Sequence, residues 1–216
     1  TSQFETILDL KIQYWVSHGF AVCAVNYSGS SGYGREYRNR LKYQWGIADV
    51  DDCIGAAQYL INTGEVDANK IAIRGNSAGG YTVLRALSNT HFFGAGTSHY
   101  GISDLTLLRQ QTHKFESRYI DWLIGPYAKY ANTFRKRSPI QQTQQWKAPI
   151  LFLQGGKDKI VPPNQATKLH KTLTQQQVDT ELVIFTDEGH GFRQEKNIAM
   201  ALEHELNFYR RLFRNE

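Results

Sequence analysis

The stretch Ile71-Ala72-Ile73-Arg74-Gly75-Asn76-Ser77-Ala78-Gly79-Gly80-Tyr81-Thr82-Val83-Leu84 decides how the rest of the chain is read. A short β-branched run ends in Gly-x-Ser-x-Gly and passes at once into helix-forming residues, so Ser77 falls on a strand-to-helix turn. That is the context of a nucleophile elbow, where a serine hydroxyl projects from a tight, strained turn. Gly75 and Gly79 suit the role because side chains there are expected to collide across the turn. The helix beginning near Ala78 points its first amide N–H groups toward the oxygen of the group attacked. The motif alone is weak, since small residues also cluster in ordinary turns; the flanking strand and helix give it weight.

Outward from the elbow, strands and helices alternate. Phe4, Ile7, Leu8, Ile12, Trp15 and Val16 recur at helical spacing and predict an amphipathic helix over 4–17, ended by Gly19. The apolar run 20–25 predicts a central parallel strand covered on both faces. The Gly- and Ser-rich loop 26–34 lacks a following Gly-Lys-Ser/Thr and so does not read as a phosphate loop. Residues 49–61 predict a helix, 71–73 a strand, the elbow helix runs to about residue 87, and 93–98 predicts another strand. The segment 102–145 is polar and aromatic, with Phe115, Tyr119, Trp122, Leu123, Tyr127 and Tyr130, and predicts short helices inserted after a strand. Strand 150–153, helix 165–173, strand 182–185 and a one-sided apolar helix over 195–212 restore the rhythm. The expected class is therefore α/β, a mostly parallel sheet with helices on both faces.

With 216 residues, 41% of them hydrophobic and 21% charged, the chain has the size of one domain and can bury a continuous core. The net charge of +5 is dispersed except at Arg135-Lys136-Arg137, which reads as a solvated loop, so no nucleic-acid partner is expected. No apolar run approaches the ~18 residues of a spanning helix, so no membrane partner is expected either. Cys23 and Cys53 have neither metal-ligand spacing nor a local partner; they are expected to be buried free thiols, consistent with a cytoplasmic enzyme without metal or cofactor.

A serine hydroxyl is a poor nucleophile until a base takes its proton, so Ser77 needs a histidine and an orienting carboxylate. Of seven histidines, His190 alone falls on a glycine-flanked loop directly after a buried strand, in Thr186-Asp187-Glu188-Gly189-His190-Gly191-Phe192. Asp158, in Gln154-Gly155-Gly156-Lys157-Asp158-Lys159, occupies the equivalent loop after the preceding strand. Asp104 and Asp187 are rivals for the carboxylate. Ser77, Asp158 and His190 follow the chain order of an α/β-hydrolase triad.

At these residues the sequence resembles the catalytic α/β-hydrolase domain of the prolyl oligopeptidase family of serine peptidases, closest to its acylaminoacyl-peptidase-like branch. The stretches that carry the resemblance are Asn26-Tyr27-Ser28-Gly29-Ser30-Ser31-Gly32-Tyr33-Gly34-Arg35-Glu36-Tyr37, Gly75 to Tyr81, Phe115-Glu116-Ser117-Arg118-Tyr119 with Ile124-Gly125, Leu153 through Asp158 to Val161-Pro162-Pro163, and Glu188-Gly189-His190-Gly191-Phe192. The resemblance implies Ser77 as nucleophile, His190 as general acid and base, Asp158 as its orienter, and the Ala78 N–H as one oxyanion donor. The implied reaction is amide or ester hydrolysis through an acyl-enzyme, on short peptides or acylated amino acids. An apolar pocket for the side chain before the scissile bond is implied from Tyr81, Tyr119, Trp122 and Val161.

Two departures accompany it. Ser28 stands where the family usually has arginine. The family also places a strand with a His-Gly-Gly-Pro-like segment, which supplies the second oxyanion donor, just before the position of Thr1, and an N-terminal β-propeller before that. The resemblance thus implies an N-terminally truncated catalytic domain over 1–216. Losing one oxyanion donor costs ~10²–10³ in rate, and the uncovered edge is expected to leave the chain prone to form a homo-oligomer. A carboxylesterase or thioesterase with the same triad, and a non-catalytic interaction module, are the alternative readings.

Overall fold

In the computed structural model, residues 3–111 and 117–213 are described. The elements in chain order are α1 (Leu10–Ser17), α2 (Gly34–Asn39), α3 (Ala48–Asn62), β1 (Ala72–Asn76), α4 (Ala78–Asn89), β2 (Ala95–His99), α5 (Leu105–Gln111), α6 (Ser117–Ile124), α7 (Tyr127–Arg137), β3 (Ile150–Gly155), α8 (Asn164–Gln175), β4 (Thr180–Phe185) and α9 (Glu195–Phe213). The four strands pair in parallel in the order β1-β2-β3-β4, with Thr97 opposite Arg74 on one side and Leu151 on the other. Phe115 and Glu116, two of the residues that carry the family resemblance, lie outside the described residues.

Strand side chains alternate between faces, and β3 shows what each face meets. Ile150 and Phe152 join Val83, Leu87, Leu169 and Leu173 from α4 and α8 in one core cluster. Leu151 and Leu153 join Trp15, Phe185, Leu206 and Phe208 in another, against α1 and α9. The parallel sheet is therefore covered on both faces, and every strand ends at the same edge. A third cluster, containing Leu41, Trp45, Tyr81, Leu105 and Phe134, packs α5, α6 and α7 beside the elbow helix, so the inserted segment is helical as its pattern suggests.

The N-terminal expectations need correction. Helix α1 starts at Leu10, because Asp9 accepts the N–H groups of Lys11 at 2.7 Å and Ile12 at 3.3 Å and caps it there. Phe4, Ile7 and Leu8 precede the helix and are exposed. The run 20–25 is not a strand: a cleft of about 1520 Å³ separates it from β1, with Val22, Cys23, Ala24, Ile71 and Ile73 among its walls. An apolar run becomes a strand only when a neighbour supplies ladder hydrogen bonds, and among the described residues β1 is paired along its other edge alone. For the same reason Cys23 is exposed rather than buried, while Cys53 is half-buried; both are free.

Candidate active site

The elbow is built by local strain. Ser77 sits between β1 and α4 with φ 53 and ψ −112, a positive-φ conformation rare for any residue other than glycine. Its N–H is held by the His99 carbonyl at the end of β2, 2.9 Å away. A Cβ at Gly75 would run into the Gly79 backbone, and one at Gly80 would meet the Gly101 Cα at 2.7 Å, so glycine is required at those two positions. At Gly79 a Cβ would meet nothing, contrary to expectation: the clash that shapes the turn falls on Gly75. Ser77 is the N-cap of α4, yet its hydroxyl makes no cap hydrogen bond and stays available. The Ala78 N–H belongs to the first turn of α4, where amides have no intrahelical partner.

Two further loops meet Ser77 at the carboxyl edge of the sheet. His190 Nε2 lies 2.8 Å from Ser77 Oγ, and His190 Nδ1 lies 2.8 Å from Asp158 Oδ2. Asp158 Oδ1 accepts the N–H groups of Ile160 and Val161, each at 2.9 Å, and Gln154 Nε2 reaches Oδ2 at 3.4 Å. Burial pushes this carboxyl up. Hydrogen bonds from His190 and from the two amides outweigh that and hold it below the usual carboxylate range. An ionised carboxylate only accepts, so Nδ1 carries the imidazole proton and Nε2 is free to accept from the serine. The two loops fit together closely: Lys157 N–H donates to the Glu188 carbonyl at 2.8 Å, and a Cβ at Gly155 would run into the Gly189 carbonyl.

The rivals have other work. Asp104 Oδ1 caps α5, accepting from Thr106 at 2.9 Å and Leu107 at 3.0 Å. Asp187 accepts from Asn197 at 3.1 Å. Beside His190 an opening of about 500 Å³, bordered by Lys157, Lys159, Ile160 and Arg193, brings solvent to the imidazole.

Of the four residues expected to line an apolar pocket, Tyr81, Val161 and Trp122 share the third core cluster. Tyr81 has no exposed surface; its ring packs 4.2 Å from Trp45 and its hydroxyl donates to the Arg137 carbonyl at 3.0 Å. Val161 is likewise in the core, where Asp158 ties down its N–H. Tyr119 stays half-exposed and stacks on Trp122, ring centres 6.1 Å apart. Aromatics on helical spacing here mostly face the third core cluster.

Sequence reasoning missed a polar network behind the elbow. Glu205 of α9, fully buried, accepts from Arg74 Nε at 2.8 Å and Nη2 at 3.0 Å, and lies 3.2 Å from His99 Nε2. Burial pushes the Glu205 carboxyl up, but Arg74 and His99 outweigh it and bring it down to about 2. The available signal was a glutamate on the apolar stripe of the last helix, between Ala201 and Tyr209: a charge there requires a partner. Tyr100 was also missed; its ring meets His190 edge-on, with centroids 4.8 Å apart.

Comparison with known proteins finds relatives for the whole domain. The profile of the prolyl oligopeptidase family matches residues 7–216. Dipeptidyl aminopeptidase BIII of Pseudoxanthomonas mexicana is 30% identical over 191 residues, covering 86% of this chain and 28% of that protein. Acylamino-acid-releasing enzyme 1 of Oryza sativa subsp. japonica is 28% identical over 191 residues, covering 83% and 24%. A puromycin-hydrolyzing peptidase of Mycobacterium tuberculosis superposes with a TM-score of 0.98 at 43% identity, covering all of this chain and 33% of that one. A puromycin hydrolase gives 0.97 at 40% identity, again over all of this chain and 33% of the other. The chain thus spans about a quarter to a third of the length of the proteins it matches. Its doubly covered parallel sheet is that of α/β-hydrolase peptidases, and the chain belongs to the prolyl oligopeptidase family.

Proposed function

We propose that this chain is the catalytic domain of a serine peptidase that hydrolyses amide bonds of short peptides or acylated amino acids through an acyl-enzyme on Ser77. The observation that carries the reading is the continuous hydrogen-bonded line from Ser77 Oγ through His190 to Asp158, with both contacts at 2.8 Å. His190 Nε2 takes the hydroxyl proton as Oγ bonds to the substrate carbonyl carbon, and the carbonyl electrons pass to oxygen. The Ala78 N–H, on the strained turn beside the nucleophile, donates to that oxyanion. Collapse of the tetrahedral adduct breaks the C–N bond, and His190 returns its proton to the departing amine. Water entering beside His190 gives a proton to Nε2 and bonds to the acyl carbon; the C–Oγ bond then breaks, the imidazolium returns the proton to Ser77 Oγ, and the acid is released. Asp158 keeps the imidazole in the required tautomer and offsets its charge while it is protonated.

Relatives named for dipeptidyl, acylamino-acid and puromycin substrates make those three classes the first to assay. The test measures release of p-nitroaniline from acylaminoacyl and dipeptidyl anilides beside release of p-nitrophenol from simple esters. Turnover of amides that disappears in Ser77→Ala supports the peptidase; ester turnover with no amide cleavage contradicts it in favour of an esterase. Two free thiols support a reducing, cytoplasmic setting. Among the described residues no helix is long and apolar enough to cross a membrane.

A further inference from the structure

The segment 99–101, immediately after β2, touches both halves of the site. The His99 carbonyl holds the Ser77 N–H at 2.9 Å. Gly101 lies against the elbow helix so closely that a Cβ there would meet the Gly80 carbonyl carbon at 2.7 Å. Between them Tyr100 turns the other way, to the His190 loop. Its N–H is fixed by the Leu153 carbonyl at 2.8 Å, its ring meets the imidazole of His190 with centroids 4.8 Å apart and planes at 61°, and Phe192 closes its other contact at 5.5 Å and 83°.

This arrangement is held against a backbone preference. Tyr100 has φ 40, in the left-handed region where a Cβ is crowded. If the turn served only to reverse the chain, glycine would fit it without strain. A large aromatic side chain in that conformation has a use for the direction in which the turn points it. From below, His99 is anchored by Glu205, which is also bonded to Arg74 on β1, so the ends of β1 and β2 share one buried carboxylate.

Resting on the hydrolase reading above, we propose that Tyr100 is a positioning residue: its ring, set by the strained turn, holds the His190 imidazole in register with Ser77. The elbow and the base loop come from segments far apart in the chain, and 99–101 contacts both. The ring acts by contact with the imidazole plane. Its hydroxyl is not required: burial raises the phenol's pKa, so it stays neutral, and among the described residues it makes no hydrogen bond to the triad.

The test compares Tyr100→Phe, Tyr100→Ala and Tyr100→Gly in the natural protein. The readouts are steady-state kinetics on one amide and one ester, the rate of Ser77 labelling by a fluorophosphonate, and the melting temperature. Tyr100→Phe is expected to stay within about twofold of wild type. Tyr100→Ala is expected to lose up to about 10²-fold in kcat and in labelling rate, the scale of a mispositioned catalytic group, with KM nearly unchanged. Tyr100→Gly is expected to lose as much kcat as Tyr100→Ala while melting higher than it, because glycine relieves the turn. In proton NMR, the low-field His190 Nδ1–H resonance is expected to persist in Tyr100→Phe and to broaden in Tyr100→Ala and Tyr100→Gly. Wild-type kcat in Tyr100→Gly overturns the proposal and leaves Tyr100 a turn residue. Loss in Tyr100→Phe equal to that in Tyr100→Ala overturns it in favour of the hydroxyl. Absence of any Ser77 labelling in wild type defeats the hydrolase reading and this inference with it; labelling that is equal in wild type and Tyr100→Ala defeats this inference alone.

Discussion

Ser77 Oγ and His190 Nε2, 113 residues apart in the chain, stand 2.8 Å apart at the carboxyl edge of the sheet. The contact depends on Asp158, which bonds the opposite nitrogen and fixes the tautomer. Ser77→Ala is therefore expected to lower kcat by about 10⁴–10⁶-fold, and Asp158→Asn by about 10⁴-fold through the wrong tautomer. Both variants should bind substrate nearly as well as wild type. Single-turnover kinetics and product-inhibition constants check this; a Ser77→Ala protein with more than a few per cent of wild-type kcat contradicts the role given to the serine.

Gly75→Ala tests the strain in the elbow. The added Cβ would run into the Gly79 backbone, which cannot swing aside as a flexible side chain would. The expected cost is about 1–3 kcal/mol of stability, as for other overpacked sites, with activity falling further because Ser77 is displaced. Gly79→Ala should be mild by comparison, since open space surrounds that position. Denaturant melts of the two variants, read beside their turnover, decide it; equal losses contradict the assignment of the clash to Gly75.

The Arg74–Glu205 pair predicts an acid-sensitive stability. Glu205 falls from 4.5 to about 2 in the folded protein, so its contribution is fully present above pH 4.5 and is lost as pH drops toward 2. The amount is on the order of 3 kcal/mol. Asp158, also depressed, acts in the same direction over the acid range. Melting temperature should therefore fall between pH 5 and 2, and Glu205→Gln should flatten that fall. Arg74→Met, which leaves the buried carboxylate with only His99 and the Tyr209 hydroxyl, should cost about 3 kcal/mol at pH 7, more than Glu205→Gln, since the freed Arg74 side chain is about one-third exposed. An unchanged pH slope in Glu205→Gln contradicts this account.

The surface around the cleft predicts self-association. Ile7, Leu8 and Leu10 are 70%, 77% and 76% exposed and close together in sequence, Ile7 lines the cleft, and among the described residues β1 has a strand partner on one edge alone. The 216-residue chain is expected to sediment as a concentration-dependent mixture at micromolar levels. Replacing Leu8 and Leu10 with lysine should shift it toward monomer, while Ser77 reactivity is retained. A monodisperse monomer at about 100 μM, set against the burial needed for a stable interface, contradicts the expectation.

How much was legible in the sequence follows from how local each feature is. The elbow, β3 and β4 announce themselves through short apolar runs followed by glycine-flanked polar loops, so Ser77 and His190 stand out by position, while Asp158 has Asp104 and Asp187 as rivals until the family resemblance favours it. The run 20–25 carries the same apolar signal, yet it has no ladder partner, and pairing is a property of two segments that one segment's composition does not contain. Tyr81 and Val161 are buried, which the sequence does not reveal, because an aromatic or aliphatic side chain beside a nucleophile reads alike whether it faces substrate or core; for Tyr81 the Trp45 ring and the Arg137 carbonyl hold it inside. Glu205 left a trace, as a charge on an apolar helix face, but its partners Arg74 and His99 lie 131 and 106 residues away. Tyr100 left none, since a left-handed φ at a tyrosine is not written in composition.

The central claim, that Ser77 is activated by His190, is tested most directly by mass-spectrometric mapping of a fluorophosphonate adduct on the natural protein at pH 7.5. The account predicts one phosphonylated residue, Ser77, with labelling slowed at least about 10³-fold in His190→Ala. No adduct at Ser77 in folded protein, or an equal labelling rate in His190→Ala, would contradict it.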